Sequence, residues 1–188
     1  YYSSIIRATA LWHIAQFQRG QDDPILISSL KDKEPLLRYT SAQVLTPRLN
    51  KSTKRQYLLP LIQDSIKAVR MIAFQGLANV NQNNIAKDKQ PVYEEVKQEY
   101  EEYIYRNGDF PSGQMRIAQY LEKKNRTNDA INAYQRAIRL DTLYNAARIN
   151  LAHIYNQQGN KQEATHMFRA VTNLEPAYGP AWYSMGLL

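Results

Sequence analysis

Residues 145–176 read NAARINLAHIYNQQGNKQEATHMFRAVTNLEP, and residues 111–142 read PSGQMRIAQYLEKKNRTNDAINAYQRAIRLDT. Laid over one another with a shift of 34, they agree in character place by place. Leu151, Ala152, Tyr155, Gly159, Ala164, Phe168, Val171 and Pro176 stand over Ile117, Ala118, Leu121, Asn125, Ala130, Tyr134, Ala137 and Thr142. Thirty-four residues beyond the first stretch come Met185 and Gly186. Apolar residues three and four apart point to helices, and a fixed period of this length points to a repeat array.

The spacing resembles the tetratricopeptide (TPR) repeat. The resemblance implies helical hairpins in which a small residue lets the paired helices approach and aromatics fill the gap between them. With Trp182 at the repeat's usual tryptophan place, it implies repeats at 111–142 and 145–176 and the first helix of a third at 179–188. Asn125 and Thr142 depart from the pattern, at the turn glycine and the closing proline. In TPR arrays the first helix of each repeat lines a concave groove. The resemblance therefore implies a protein or peptide groove of Met115, Arg116, Gln119, Glu122, Lys123, Ile149, Asn150, His153, Asn156 and Tyr183. The carboxylate clamp for chaperone tails would fall on Met115, Gln119, Asn150, Pro180 and Ser184; only Asn150 matches, which argues against such tails.

Strand signals are missing along the whole chain, since no alternating apolar run is joined to another by an Asn-Gly or Asp-Gly turn. Prolines follow turn or capping residues at Asp23-Pro24, Glu34-Pro35, Gln90-Pro91 and Gly179-Pro180, where a first-turn proline forfeits no hydrogen bond. Helices are predicted at 3–18, 23–31, 34–46, 52–62, 66–78, 91–106, 111–124, 127–140, 144–158, 161–174 and 179–188. The fold expected is an all-α solenoid, a right-handed superhelix of helical hairpins.

Within the first half, Ile5 to Leu11, Leu36 to Ala42 and Ala68 to Phe74 superimpose on Arg7, Arg38 and Arg70. Ile14, Leu45 and Leu77 follow seven residues after each arginine, and Asp32 and Asp64 precede the second and third by six, at the inter-helix turns. Pro60 falls late in the helix before the third unit and is expected to bend it. This pattern resembles the HEAT repeat over residues 3–78. The domains expected are HEAT-like repeats at 1–80, a polar linker at 81–90 and a TPR array at 91–188. In this scheme 91–106 is a capping helix that buries Val92, Val96, Tyr100, Tyr103 and Ile104. The chain begins and ends inside helical pattern, as expected of a stretch of a longer protein.

The net charge of +7 lies wholly in residues 1–90, with residues 91–188 balanced. Arg48, Lys51, Lys54, Arg55 and Lys67 concentrate it into a basic patch, with Arg70 expected to bond its own turn. Such a patch would serve phosphate contacts to nucleic acid, or else a solvated or protein-facing surface. The sequence has no cysteine, which excludes disulfides, thiolate metal sites and thiol nucleophiles from this stretch. Neither a nucleophile with a base nor a glycine-rich phosphate loop occurs, so an enzyme is not expected. His153 and His166 stand on different helices and are not expected to hold a metal. Asn50-Lys51-Ser52 and Asn125-Arg126-Thr127 match the glycosylation sequon, a triplet common by chance.

A HEAT-like array followed by TPR repeats also resembles the C-terminal portion of bacterial multihaem c-type cytochromes. That resemblance implies a periplasmic or outer-surface protein and a docking role beside electron transfer. It would place haem only in a domain upstream of Tyr1, with no cofactor in this chain. Without it the compartment expected is the cytoplasm. Non-enzymatic protein recognition or scaffolding is the function that the residues themselves favour, because stacked repeats leave a continuous curved surface rather than an enclosed pocket.

Overall fold

The computed structural model describes residues 2–17 and 23–188. All regular structure among these residues is helical, as eleven α-helices and three short 3₁₀ turns. Contacts divide the chain into two compact units, Tyr1–Glu101 and Glu102–Leu188.

The first unit holds α1 (Ser4–Phe17), α2 (Pro24–Ser29), α3 (Pro35–Leu45), α4 (Lys51–Leu58), α5 (Lys67–Leu77) and most of α6 (Gln90–Arg106). Asp23 caps α2 by accepting from the N–H groups of Ile25 and Leu26 at 2.9 and 3.2 Å; Gln18, the last residue of the helix predicted at 3–18, lies outside the described residues. Asn50 caps α4 in the same way, accepting from Ser52 and Thr53 at 2.9 and 3.0 Å. These side chains satisfy N–H groups that the first helical turn leaves without partners. At Pro60 the α-helix gives way to a 3₁₀ turn, Leu59–Gln63, which is the bend that proline imposes. Leu26, Leu37, Leu45, Leu58, Ile62, Val69, Phe74 and Leu77 form the sealed core.

Two expectations change around α6. Residues 81–90 are expected as a polar linker, yet Ile85 is buried and two 3₁₀ turns, Gln82–Asn84 and Lys87–Lys89, shape the connection. Along α6 the buried residues are Tyr93, Val96, Tyr100 and Ile104, while Val92 is half-buried and Tyr103 exposed. Tyr93 and Tyr100 set their rings 5.2 and 5.3 Å from Phe74 of α5, so the first three turns of α6 pack into the N-terminal unit. The sequence places this helix as a cap on the second array. Burial pushes the Tyr93 hydroxyl up to about 12.

The second unit holds α7 (Pro111–Lys123), α8 (Thr127–Leu140), α9 (Asn145–Gln157), α10 (Lys161–Leu174) and α11 (Gly179–Gly186). They pack as successive neighbours, α7 with α8, α8 with α9, α9 with α10 and α10 with α11. The residues matched at 34 fill the helix pairs: Ala118, Ala130, Tyr134, Ala137, Ala152, Ala164 and Val171 are fully buried and Leu151 and Phe168 nearly so. Tyr155 is half-buried instead. At the turns Gly159 has φ 77° and Asn125 φ 57°, so asparagine adopts the left-handed conformation of the glycine it replaces. Gly113 answers a different demand, since a Cβ there would lie 1.6 Å from the Asn107 carbonyl oxygen.

One hydrogen bond recurs at the turns of both units. A long side chain on the incoming helix donates to the backbone carbonyl six residues earlier: Arg38 to Asp32 at 2.8 Å, Arg70 to Asp64 at 2.9 Å, Gln114 to Gly108 at 2.7 Å, Arg148 to Thr142 at 2.5 Å and Trp182 to Pro176 at 3.0 Å. In the first unit the arginines also reach forward to the next turn. Arg7 pairs with Asp32. Arg38 grips both oxygens of Asp64, at 2.6 and 2.8 Å, and Arg70 grips both of Glu99, at 3.0 and 2.8 Å. The result is a ladder of three ion pairs, two of them forked, the arrangement in which a guanidinium is strongest.

The ladder and the backbone N–H groups of the turns together lower the acids' pKa values. The hydrogen bond from the Glu34 N–H, with Arg7 adding to it against burial, holds Asp32 below its usual range. Burial pushes Asp64 up, but Arg38 and the Ile66 N–H outweigh it and leave the carboxyl low. Arg70 is the main cause of the lowered Glu99.

Candidate protein-binding surfaces

Helices α7, α9 and α11 are the first members of their pairs, and the sequence-predicted groove residues fall on them in rows 34 apart. Met115, Ile149 and Tyr183 make one row; Arg116 and Asn150 begin another, and Gln119 and His153 a third. Met115, Arg116, Gln119, Glu122, Lys123, Ile149 and Asn150 are half-buried, and His153, Asn156 and Tyr183 are exposed. Every one of the ten therefore keeps some surface.

Several are held by their own unit. The Tyr144 hydroxyl donates to the Met115 Sδ at 3.2 Å. Arg116 donates to the Tyr103 hydroxyl at 2.9 Å, with its guanidinium 5.4 Å from the ring centre. The Tyr134 hydroxyl donates to the Glu122 carboxylate; burial, with that carboxylate adding to it, pushes Tyr134 far up. His153 lies with its ring 5.4 Å from Phe168, edge on. Ile149 packs on the cluster of Ala152, Phe168, Val171 and Ala181. Orientation is thus set by contacts within the unit for Met115, Arg116, Glu122, Ile149 and His153, while Asn150, Asn156 and the 71% exposed Tyr183 present polar and aromatic groups outward.

Residues 121–186 match the tetratricopeptide repeat family. The matched TPR region runs from the last turn of α7 through α11 and covers the second complete repeat. TPR repeats are in general protein-interaction modules rather than enzymes. The register of the TPR region continues upstream of the match, since Ile117 and Ala118 are buried like Leu151 and Ala152. No curated protein matches the chain.

The basic residues do not form one row. Arg48 follows α3, while Lys51, Lys54 and Arg55 lie on α4. Arg55 donates to the Asn84 carbonyl at 3.0 Å. Burial lowers the pKa of Lys54. Lys67, at the start of α5, sits 3.4 Å from Glu99 and belongs to the end of the ion-pair ladder. Arg70 closes its own turn, as its spacing suggests, and in addition holds Glu99, a partner that the spacing does not disclose. Among the described residues no group of three or more His, Asp or Glu is placed to hold a metal, and no helix is long and apolar enough to cross a membrane. His166 is exposed on α10, 3.9 Å from Glu163.

What sequence reasoning missed is the shared task of Gln114, Arg148 and Trp182. Their spacing of 34 was the available signal, but the three side chains have little else in common.

Proposed function

We propose that this protein is a non-enzymatic interaction scaffold whose TPR-register helices α7, α9 and α11 receive a protein or peptide segment. The observation that carries this is the set of rows at 34-residue spacing, in which each first helix offers partly exposed side chains of mixed polarity over a sealed core. A rigid floor with projecting Asn, His and Tyr groups suits an extended or helical peptide, because little ordering is required on binding. We also read residues 3–78 as HEAT-like repeats. The bent helix at Pro60, the acidic turns at Asp32 and Asp64 and the repeated arginine support that reading. The capture of Arg55 and Lys67 by partners within their own unit favours protein over nucleic acid as the ligand.

The test is affinity capture of partners, followed by quantitation with Asn150→Ala and Tyr183→Ala. Binding of the captured protein is expected to fall at least about tenfold in one of the two, the loss typical of an interface contact that matters. Unchanged binding in both, with helicity preserved, would remove the groove from the account.

A further inference from the structure

Within the second unit, the turn before α7 together with α7 and α8 lines a cleft of about 360 Å³. Its floor is apolar, made by Ile117 and Leu121 of α7 and Ala133 of α8, each 5% exposed. Its rim carries Asp109 on the turn and Asn132 and Arg136, four apart on one face of α8, all three exposed. None of the ten groove residues lines it.

The repeat accounts for the floor but not for the rim. Thirty-four residues on, Ile117, Leu121 and Ala133 are answered by Leu151, Tyr155 and Met167, so an apolar base is kept. Asp109, Asn132 and Arg136 are answered by Leu143, His166 and Ala170, and the pair of opposite charges is lost. Nor does the rim hold the hairpin together: among the described residues no hydrogen bond or ion pair engages the side chains of Asp109, Asn132 or Arg136. An aspartate and an arginine thus share one cleft without pairing. Arg126 and Asp129, which also line it, pair with each other at 2.7 Å, so the charges of the cleft sum to zero. Gln114 adds an acceptor. It is 9% exposed, its Nε2 donates to the Gly108 carbonyl at 2.7 Å, and its Oε1 receives no donor among the described residues. Arg148, its counterpart, has donors alone.

We propose that this cleft binds a free α-amino acid with an apolar side chain. The ammonium group is held by the Asp109 carboxylate and the Gln114 Oε1, the carboxylate by the Arg136 guanidinium and the Asn132 Nδ2, and the side chain rests on Ile117, Leu121 and Ala133. A zwitterion is the class that fits, because it brings one charge of each sign to unpaired groups of opposite sign in a cleft of no net charge. A chain terminus brings only one of the two charges, and an internal peptide unit brings neither. Inorganic phosphate would meet Asp109 and Asp129 as well as Arg136. The volume lies at the small end of the range for ligand sites, about 300–1,000 Å³.

Isothermal titration calorimetry of the whole 188-residue protein with L-leucine is the test. Saturable binding at one site is expected. Glycine, isocaproate and isoamylamine, which lack the side chain, the ammonium and the carboxylate in turn, should each bind at least about tenfold more weakly. Arg136→Ala and Asp109→Asn should each weaken leucine by at least about tenfold. The two variants should separate on the half-molecules: Arg136→Ala weakens isocaproate and spares isoamylamine, and Asp109→Asn does the reverse. Arg169→Ala removes an exposed arginine of α10 outside the cleft and should leave leucine binding unchanged. Because Asp109 and Arg136 are exposed, circular dichroism should be alike for all forms. Three results would overturn the proposal: no saturable heat with leucine up to about 10 mM, leucine binding unchanged in both cleft variants, or a half-molecule that binds as tightly as leucine.

Discussion

Replacing Arg38 by alanine tests the ladder at its most enclosed rung. The Arg38 and Asp64 side chains are only 14% and 7% exposed, and the guanidinium makes two bonds to the carboxylate and two to the carbonyls of Asp32 and Lys33. Truncation leaves Asp64 charged, enclosed and without its arginine, a situation that costs about 3–5 kcal/mol in a buried pair. The slight exposure favours the lower end, so about 3 kcal/mol is expected. Arg7 provides the comparison, since it pairs with Asp32 in the same register with its side chain 39% exposed. An exposed pair is worth at most about 1 kcal/mol. The two tryptophans, Trp12 and Trp182, lie one in each unit. In a Trp182→Phe background, urea unfolding followed by fluorescence therefore reports the first unit. With a slope near 1.5 kcal/mol per molar, Arg38→Ala should lower the midpoint by about 2 M and Arg7→Ala by less than about 0.7 M. A double-mutant cycle with Asp64→Ala should return a coupling of about 2 kcal/mol. If Arg38→Ala and Arg7→Ala proved equally mild, or the coupling vanished, the enclosed ladder would not be what holds these turns.

Acid should weaken the first unit. Asp32, Asp64 and Glu99 have folded-state pKa values below their unfolded values, so their contribution is complete above the unfolded range near pH 4 and disappears as pH falls through the lower folded values; thermal unfolding at pH 5 and pH 3 should show the loss, and Arg38→Ala should reduce it. Asn125→Ala should cost the second unit about 1 kcal/mol because φ 57° is unfavourable for alanine, whereas Asn125→Gly should cost no more than a few tenths, as thermal melts would show. Gly113→Ala should cost more than about 3 kcal/mol in the same assay, since the new methyl would have to displace the Asn107 backbone.

The helices themselves were legible because their ends carry local chemistry. Pro24, Pro35 and Pro111 each open a helix where the sequence put them, and Asn125 stands at the turn where the repeat required it. The face of α6 was harder. Val92 and Tyr93 are one residue, 100° of helix, apart, and the one that turns inward is Tyr93, whose ring meets that of Phe74. For the same reason the sequence did not disclose that α6 packs on α5 or that Glu99 completes the ladder: nothing within α6 names its partner. The rows at positions 115, 149 and 183 could be found by period alone. Which groove side chains are held by Tyr103, Tyr134 or Tyr144 could not, because those tyrosines stand 12 to 29 residues away and the contacts depend on the packing of the hairpins.

The five turn closures have a consequence for how such repeats diverge. Their donors are arginine at 38, 70 and 148, glutamine at 114 and tryptophan at 182, yet each brings an N–H to the carbonyl six residues back. What persists from turn to turn is a reach and a bond direction, which a guanidinium, an amide and an indole can all supply. A position under that kind of constraint can change its letter among long N–H donors while the bond to the turn carbonyl is kept. The family match begins at Leu121, but Gln114 already closes its turn as Arg148 does, so the same closure is made upstream of the matched residues.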